Sequence, residues 1–289
     1  MIRFMEIAVF SLLVFCLAGC DTGKGGEPVW ERVKIGDLAA AQGQEQPGVE
    51  PLKTMNFNVY IFEMPADNIT TLNDILGELY VEPLRFADYG AFKGSYFSVG
   101  FGQRRVLNRV IALLQTGDGQ KWQTVSLLLP DGQANDVTVA RLYERQSVFY
   151  VSHGGTMEGE SLGPGRLALR IGAGKITGAR GVCSVSVSPV FVPPMTSSIP
   201  QLAARAKADE FVFSATGFGL RMSPGDFLLL GPEKYSHGQM TLSGYFFSRP
   251  APSGGRMFLV SSSGETQELE PYYGPVVRTY LILCTGISD

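Results

Sequence analysis

Phe57-Asn58-Val59-Tyr60-Ile61-Phe62 is the stretch on which the reading of the fold turns. Its β-branched and aromatic side chains alternate in part with polar ones, the pattern of a strand that lays one face on a core. The period then changes. Asp67 or Asn68 can cap a helix on which Ile69, Leu72, Ile75, Leu76 and Leu79 recur at three- and four-residue steps. Tyr96 to Phe101 reads as a second strand, and Val106, Leu107, Val110, Ile111 and Leu114 as a second amphipathic helix that stops near Gly117-Asp118-Gly119.

Beyond Gly119 short apolar runs alternate with turn residues: Trp122 to Leu129, Val137 to Tyr143, Ser147 to Ser152, Arg166 to Ile171 and Val182 to Val192. A short helix is expected around Pro200 to Lys207. Strands then follow at Glu210 to Ser214, Asp226 to Leu230, Met257 to Ser261 and Val276 to Cys284. Pro130-Asp131-Gly132 has turn chemistry, since proline presets one dihedral and glycine accepts a positive one. The expected fold class is α+β and strand-dominated, with two N-terminal amphipathic helices followed by an antiparallel β-sheet.

Composition narrows the function classes. The chain is 45% hydrophobic and 18% charged, with 35 glycines and a net charge of -3, so it can bury a large core and presents no basic face. Lys and Arg are not clustered, which excludes a nucleic-acid partner from the expectation.

The first residues read as an address. Met1-Ile2-Arg3 precedes an almost unbroken apolar run from Ile7 to Leu17. Such a run rises only ~16 Å as a helix, about half a hydrocarbon core, so a cleaved signal is expected rather than a span. It ends in Leu17-Ala18-Gly19-Cys20, which resembles the bacterial lipobox. The resemblance implies a bacterial lipoprotein: signal peptide 1–19 removed, Cys20 carrying the acyl chains, palmitate among them, and the protein held at the periplasmic side of the cell envelope. Asp21 resembles the inner-membrane retention signal of enteric bacteria, which favours that membrane and leaves the outer one open. Residues 20–53, rich in Gly, Gln, Glu, Ala and Pro, read as a flexible tether in which Trp30, Val33 and Ile35 can dock locally. Residues 54–289 read as a single globular domain. If the anchor is correct, Cys20→Ala releases the protein to the soluble fraction, and retention of that variant on carbonate-washed membranes would count against it.

Cys183 and Cys284 each lie in an apolar run, and their spacing leaves open a disulfide between them or two packed thiols. No metal-ligand spacing and no cofactor motif is present. Gly159-Glu160-Ser161-Leu162-Gly163 is a formal G-x-S-x-G, with His153-Gly154-Gly155 before it and Asp209, Asp226 and His237 after it. An envelope hydrolase using Ser161 is therefore one alternative. However, Gly163-Pro164-Gly165 cannot comfortably begin the helix that a nucleophile elbow requires, so no catalytic residue is assigned. Gly100-Phe101-Gly102 stands where a phosphate turn would, but Arg105 takes the place of the third glycine. Glu158 and Glu160 read as solvated, and Lys234, Tyr235, Tyr245, Tyr272 and Tyr273 as groups a ligand could use.

Taken in order, several segments resemble the C-terminal core of bacterial secretins, ring-forming channels of secretion and pilus systems. They are Asn56 to Glu63, Arg104 to Gln115, Ser126 to Gly132, Val137 to Val151, Gly225 to Gly231, Gly244-Tyr245-Phe246-Phe247 and Arg278 to Ile287. The proline-rich run that precedes the lip in secretins is replaced by Tyr235 to Ser243. The resemblance implies a stand-alone envelope component rather than a working pore, with a self-associating oligomeric ring subunit as a further alternative. The leading expectation is a lipid-anchored binding or scaffolding module that is not an enzyme, whose partners are the membrane, envelope proteins or its own copies.

Overall fold

The computed structural model describes residues 53–194, 209–236, 240–250, 256–261 and 267–288, with the main chain alone at 256–261 and 267–271. The expected signal, Cys20, Asp21, the tether up to residue 52, the helix read at Pro200 to Lys207 and His237 lie outside the described residues. In chain order the first elements are β1 (Thr54–Pro65), α1 (Ile69–Gly77), β2 (Arg85–Phe86), α2 (Tyr89–Gly94), β3 (Phe97–Gly102) and α3 (Arg104–Thr116). Strands β4 (Gln120–Pro130), β5 (Gln133–Leu142), β6 (Gln146–Val151), β7 (Met157–Leu162), β8 (Gly165–Lys175) and β9 (Cys183–Val192) come next. After them come β10 (Phe211–Val212), β11 (Phe218–Met222), β12 (Phe227–Pro232), α4 (Leu242–Phe247), β13 (Ser248–Arg249), β14 (Arg256–Ser261), β15 (Gln267–Tyr272) and β16 (Val276–Ile287).

Two antiparallel sheets face each other. The first runs β3-β12-β16-β1-β4 with β13 added to β16, and the second runs β2-β11-β9-β8-β5 with β10 added to β9. Hairpins β6–β7 and β14–β15 stand apart from both. On β1, Phe57, Val59 and Ile61 point into the core between the sheets, whereas Phe62 and Met64 point to the other face, against Leu72, Ile75 and Leu76 of α1 and Val110 and Leu114 of α3. The layers are thus helix, sheet and sheet.

This placement explains Phe227-Leu228-Leu229-Leu230, which has no alternation. Leu228 and Leu230 face the second sheet, Phe227 and Leu229 face the helices, and all four are fully buried. A strand covered on both sides must be apolar on both, and each such Leu contributes roughly 2 kcal/mol.

The order of elements differs from the expected one. The helices are not an N-terminal pair set ahead of a sheet: β1 precedes them, and it is an interior strand of the first sheet, paired with β4 on one edge and β16 on the other. Helices α1 and α3 are insertions between strands of that sheet, and α2 and α4 add two shorter ones, making four α-helices among the described residues. Reading along the chain joins each strand to its sequence neighbour, and β16 reaches β1 from more than two hundred residues away. That pairing is a product of tertiary burial.

Asp131-Gly132 is the corner at which the chain leaves the first sheet for the second. Its sequence chemistry is used in full: Gly132 has φ +72°, Asp131 N–H donates to Lys53 O at 3.1 Å, and Asp131 Oδ1 accepts from the N–H of Lys175 at 2.6 Å.

Candidate functional site

Hairpin β6–β7 carries the segment with the formal G-x-S-x-G. Met157 to Leu162 is a strand, with Ser161 opposite Ser147 and Glu158 opposite Tyr150. Ser161 therefore sits within a strand, one residue from its end, and the chain runs on into another strand with no strand-to-helix elbow. Glu158 accepts a hydrogen bond from Tyr150 Oη at 3.1 Å, and burial followed by this carboxylate raises the tyrosine pKa.

His153, at the tip of the same hairpin, has different neighbours. Its Nε2 lies 3.3 Å from Ser214 Oγ, and its Nδ1 lies 3.8 Å from Asp88 Oδ2. Asp88 is the N-cap of α2, taking the N–H of Ala91 on Oδ1 at 2.9 Å and the N–H of Gly154 on Oδ2 at 3.1 Å. These backbone donors, Ala91 first and Gly154 second, hold its pKa below the ordinary carboxylate value. Gly154 and Gly155 have φ of +89° and +84°, which the tight tip requires. Beneath the three groups Ala91, Val151 and Ala215 form their own buried cluster. The segments bearing Asp88, His153 and Ser214 therefore rest on one packed floor. Carboxylate, imidazole and hydroxyl stand in the order needed for a base-assisted nucleophile, and the 3.8 Å separation would have to close for the carboxylate to fix the tautomer.

A second feature is a cleft of about 480 Å³ where the ends of β5, β8 and β9 meet. Arg141 and Arg166, cross-strand partners on β5 and β8, line it together with Leu142, Pro164, Val192 and Pro193 among others. Tyr143, 80% exposed, also lines it. Arg166 lies 3.7 Å from Asp136, whose carboxylate is already held bidentately by Arg170 at 2.7 and 2.9 Å.

A third feature is an ionic group between the sheets. Glu63, 2% exposed, is the cross-strand partner of Arg278 and accepts from its Nε at 3.1 Å and from its Nη2. The β-bulge at Val139 leaves that carbonyl outside the ladder with β8, and Arg249 and Arg278 both donate to it. Arg249 also donates to the carbonyls of Tyr245 and Ser248, a favourable position for a cation at the end of α4. Burial first, and then the charge of Arg278, lower the Arg249 pKa to about 10, so it is cationic at neutral pH.

Cys183 and Cys284 come together. Both are unpaired thiols, fully buried in the core between the sheets. Interaction with the Cys284 side chain and then burial raise the Cys183 pKa.

Of the other residues singled out, Gly100 and Gly102 serve packing. A Cβ on Gly100 would lie 2.4 Å from Leu79 Cβ, and one on Gly102 would lie 2.2 Å from Phe227 Cζ. Lys234 Nζ sits 3.5 Å from the ring centroid of Tyr96. The hydroxyls of Tyr235, Tyr245 and Tyr272 bond to Arg249 O, Gln146 Oε1 and Pro275 O. Asp226 Oδ2 accepts from Ser223 N–H at 2.8 Å. Gly244 to Phe247, likened to the secretin lip, lies in α4, where Gly244, Phe246 and Phe247 are buried. Asp88 and Ser214 were not singled out from sequence. A turn-initiating aspartate and a serine after Phe211-Val212-Phe213 carry no spacing signal toward a histidine more than sixty residues from each. Among the described residues no three His, Cys, Asp or Glu side chains gather as a metal site, and no helix is long and apolar enough to cross a membrane.

Fold and sites together define a helix-backed, two-sheet β-sandwich with a cationic cleft at one sheet end. No protein-family model, no curated protein and no solved structure matches the chain.

Proposed function

We propose that the chain is a lipid-anchored cell-envelope protein that acts as a binding module and holds a partly apolar anion in the cleft beside Arg141 and Arg166. The cleft carries this reading. Its size suits a small amphiphile, most of its lining is apolar, and two arginines, Arg141 and Arg166, belong to that lining and could meet a carboxylate or phosphate head. The address rests on Leu17-Ala18-Gly19-Cys20, which would place the domain beside membrane amphiphiles. Arg141 is exposed, so Arg141→Glu alters the cleft without disturbing the core. It is expected to weaken binding of a long-chain carboxylate such as oleate by roughly tenfold in a calorimetric titration. Equal affinity in parent and variant, or no binding by the parent, would remove the assignment.

The contact of His153 with Ser214 favours a second reading, hydrolysis of small esters with Ser214, not Ser161, as nucleophile. Ser214→Ala is then expected to lower p-nitrophenyl acetate hydrolysis by at least about a hundredfold and to abolish fluorophosphonate labelling. Labelling at any other residue, or none, would remove this reading.

A further inference from the structure

We propose that Cys183 and Cys284 form an intramolecular disulfide that ties the two sheets of the sandwich together. The inference deepens the envelope reading and rests on it only for the source of oxidant, since disulfides persist in oxidising compartments. The pairing itself rests on position.

Cys183 is the first residue of β9 in the second sheet, paired with Met222 on one side and Lys175 on the other. Cys284 lies on β16 in the first sheet, opposite Phe57. No backbone ladder joins these two strands; the side chains meet across the core. Both main chains are pinned. Cys284 N–H donates to Asp226 O at 3.0 Å and Cys284 O accepts from Gly225 N–H at 2.7 Å. The Cys183 thiol, besides meeting Cys284, lies 3.6 Å from the Met222 carbonyl. Met222, the ladder partner of Cys183, and Gly225 and Asp226, which hold the Cys284 main chain, are joined by one tight turn closed by Asp226 N–H donating to Ser223 O, so both cysteines stand at the ends of a single short connection between the sheets.

The bond forms by exchange. A Cys284 thiolate attacks one sulfur of an external disulfide R–S–S–R, expelling R–S⁻ and leaving a mixed disulfide. The Cys183 thiolate attacks the Cys284 sulfur of that intermediate, expelling the second R–S⁻. The two protons lost from the cysteines end on two R–SH, so the external disulfide is reduced and the protein dithiol oxidised. An envelope thiol–disulfide oxidoreductase, or oxidised glutathione in vitro, is the class of reagent required. Both thiols are fully buried in the fold, so exchange takes place while β16 is undocked from its place between β1 and β12. Seating β16 and closing the bond are then one event. The cross-link closes a loop of about one hundred residues, which lowers the unfolding constant about a hundred- to a thousandfold.

The test uses the full chain. Cells producing the natural protein are treated with iodoacetamide, without reductant, during lysis in denaturant, and the membrane-fraction protein is mapped by peptide mass. The expected result is a Cys183 peptide linked to a Cys284 peptide, neither alkylated; carbamidomethyl groups on both overturn the proposal. In parallel, the chain with Cys16→Ser and Cys20→Ser is refolded from urea in glutathione redox buffer. It is expected to become about 2 Da lighter by loss of two hydrogens and to lose several degrees of Tm on adding dithiothreitol, an effect absent from a Cys183→Ala/Cys284→Ala control. Two free thiols after refolding also overturn it. The envelope reading fails separately, if the Cys20→Ala protein fractionates like the parent.

Discussion

Arg278→Leu is expected to destabilise the protein by about 3–5 kcal/mol in urea unfolding, and Arg278→Leu with Glu63→Leu by much less than the sum of the two single changes. Glu63 is 2% exposed and takes two hydrogen bonds from the Arg278 guanidinium on the neighbouring strand. Removing the arginine alone leaves the buried carboxylate without those two bonds, and the penalty for that loss exceeds the net worth of the pair. Removing both trades a desolvated ion pair for apolar volume. The Val139 carbonyl keeps Arg249 as a donor in every variant, so its satisfaction does not confound the cycle. Additive single and double changes would show that the two groups act independently.

The second large effect is expected from Phe97→Ala, which should cost about 3–5 kcal/mol. Phe97 is 1% exposed and its ring stands between three others: Phe92 at 5.6 Å, Phe246 at 5.9 Å and Phe247 at 4.8 Å. Those partners belong to α2 and α4, so this one ring fixes both short helices against β3. Neither helix has the length to be stable by itself. Because Asp88 caps α2, loosening α2 should also raise amide exchange at Gly154, which Asp88 holds. Phe97→Leu keeps part of the volume and should lose less. A loss under about 1 kcal/mol for Phe97→Ala would show that the cluster repacks and that α2 and α4 are held by other contacts.

Legibility in the sequence followed the range of the interaction that shapes each segment. Strand dominance and antiparallel pairing follow from runs such as Val182 to Val192 broken by turn residues, and the Asp131-Gly132 corner follows from its own backbone chemistry. Met157 to Leu162, in contrast, is charged and glycine-bearing and reads as loop. It becomes a strand because Val148 to Tyr150 of β6 offer it a register and because Gly154 and Gly155 let the chain reverse. Gly244 to Phe247 resembles the secretin lip and lies instead in a helix, because Thr241 Oγ1 accepts from Gly244 N–H at 3.2 Å while Phe246 and Phe247 find a buried place.

The candidate sites divide in the same way. The two cysteines are visible as a pair in the sequence, but spacing alone leaves a bridge and two packed thiols equally open; the facing of β9 and β16 across the core is what joins them. Arg141 and Arg166 are distant in sequence and come to one cleft only because β5 and β8 are neighbours in the second sheet. Asp88, His153 and Ser214 meet through the shared floor of Ala91, Val151 and Ala215, small residues that carry no signal of their own.

The sequence by itself determined what local forces govern: the excess of strand, the turn at Asp131-Gly132, and the lack of clustered basic charge. The tertiary structure alone decided which strand is interior, which helices back which sheet, and which side chains meet. Local propensity acts over a few residues, whereas the pairing of β1 with β16 and the meeting of Cys183 with Cys284 are selected by burial of two apolar faces at once, a condition that no single segment expresses.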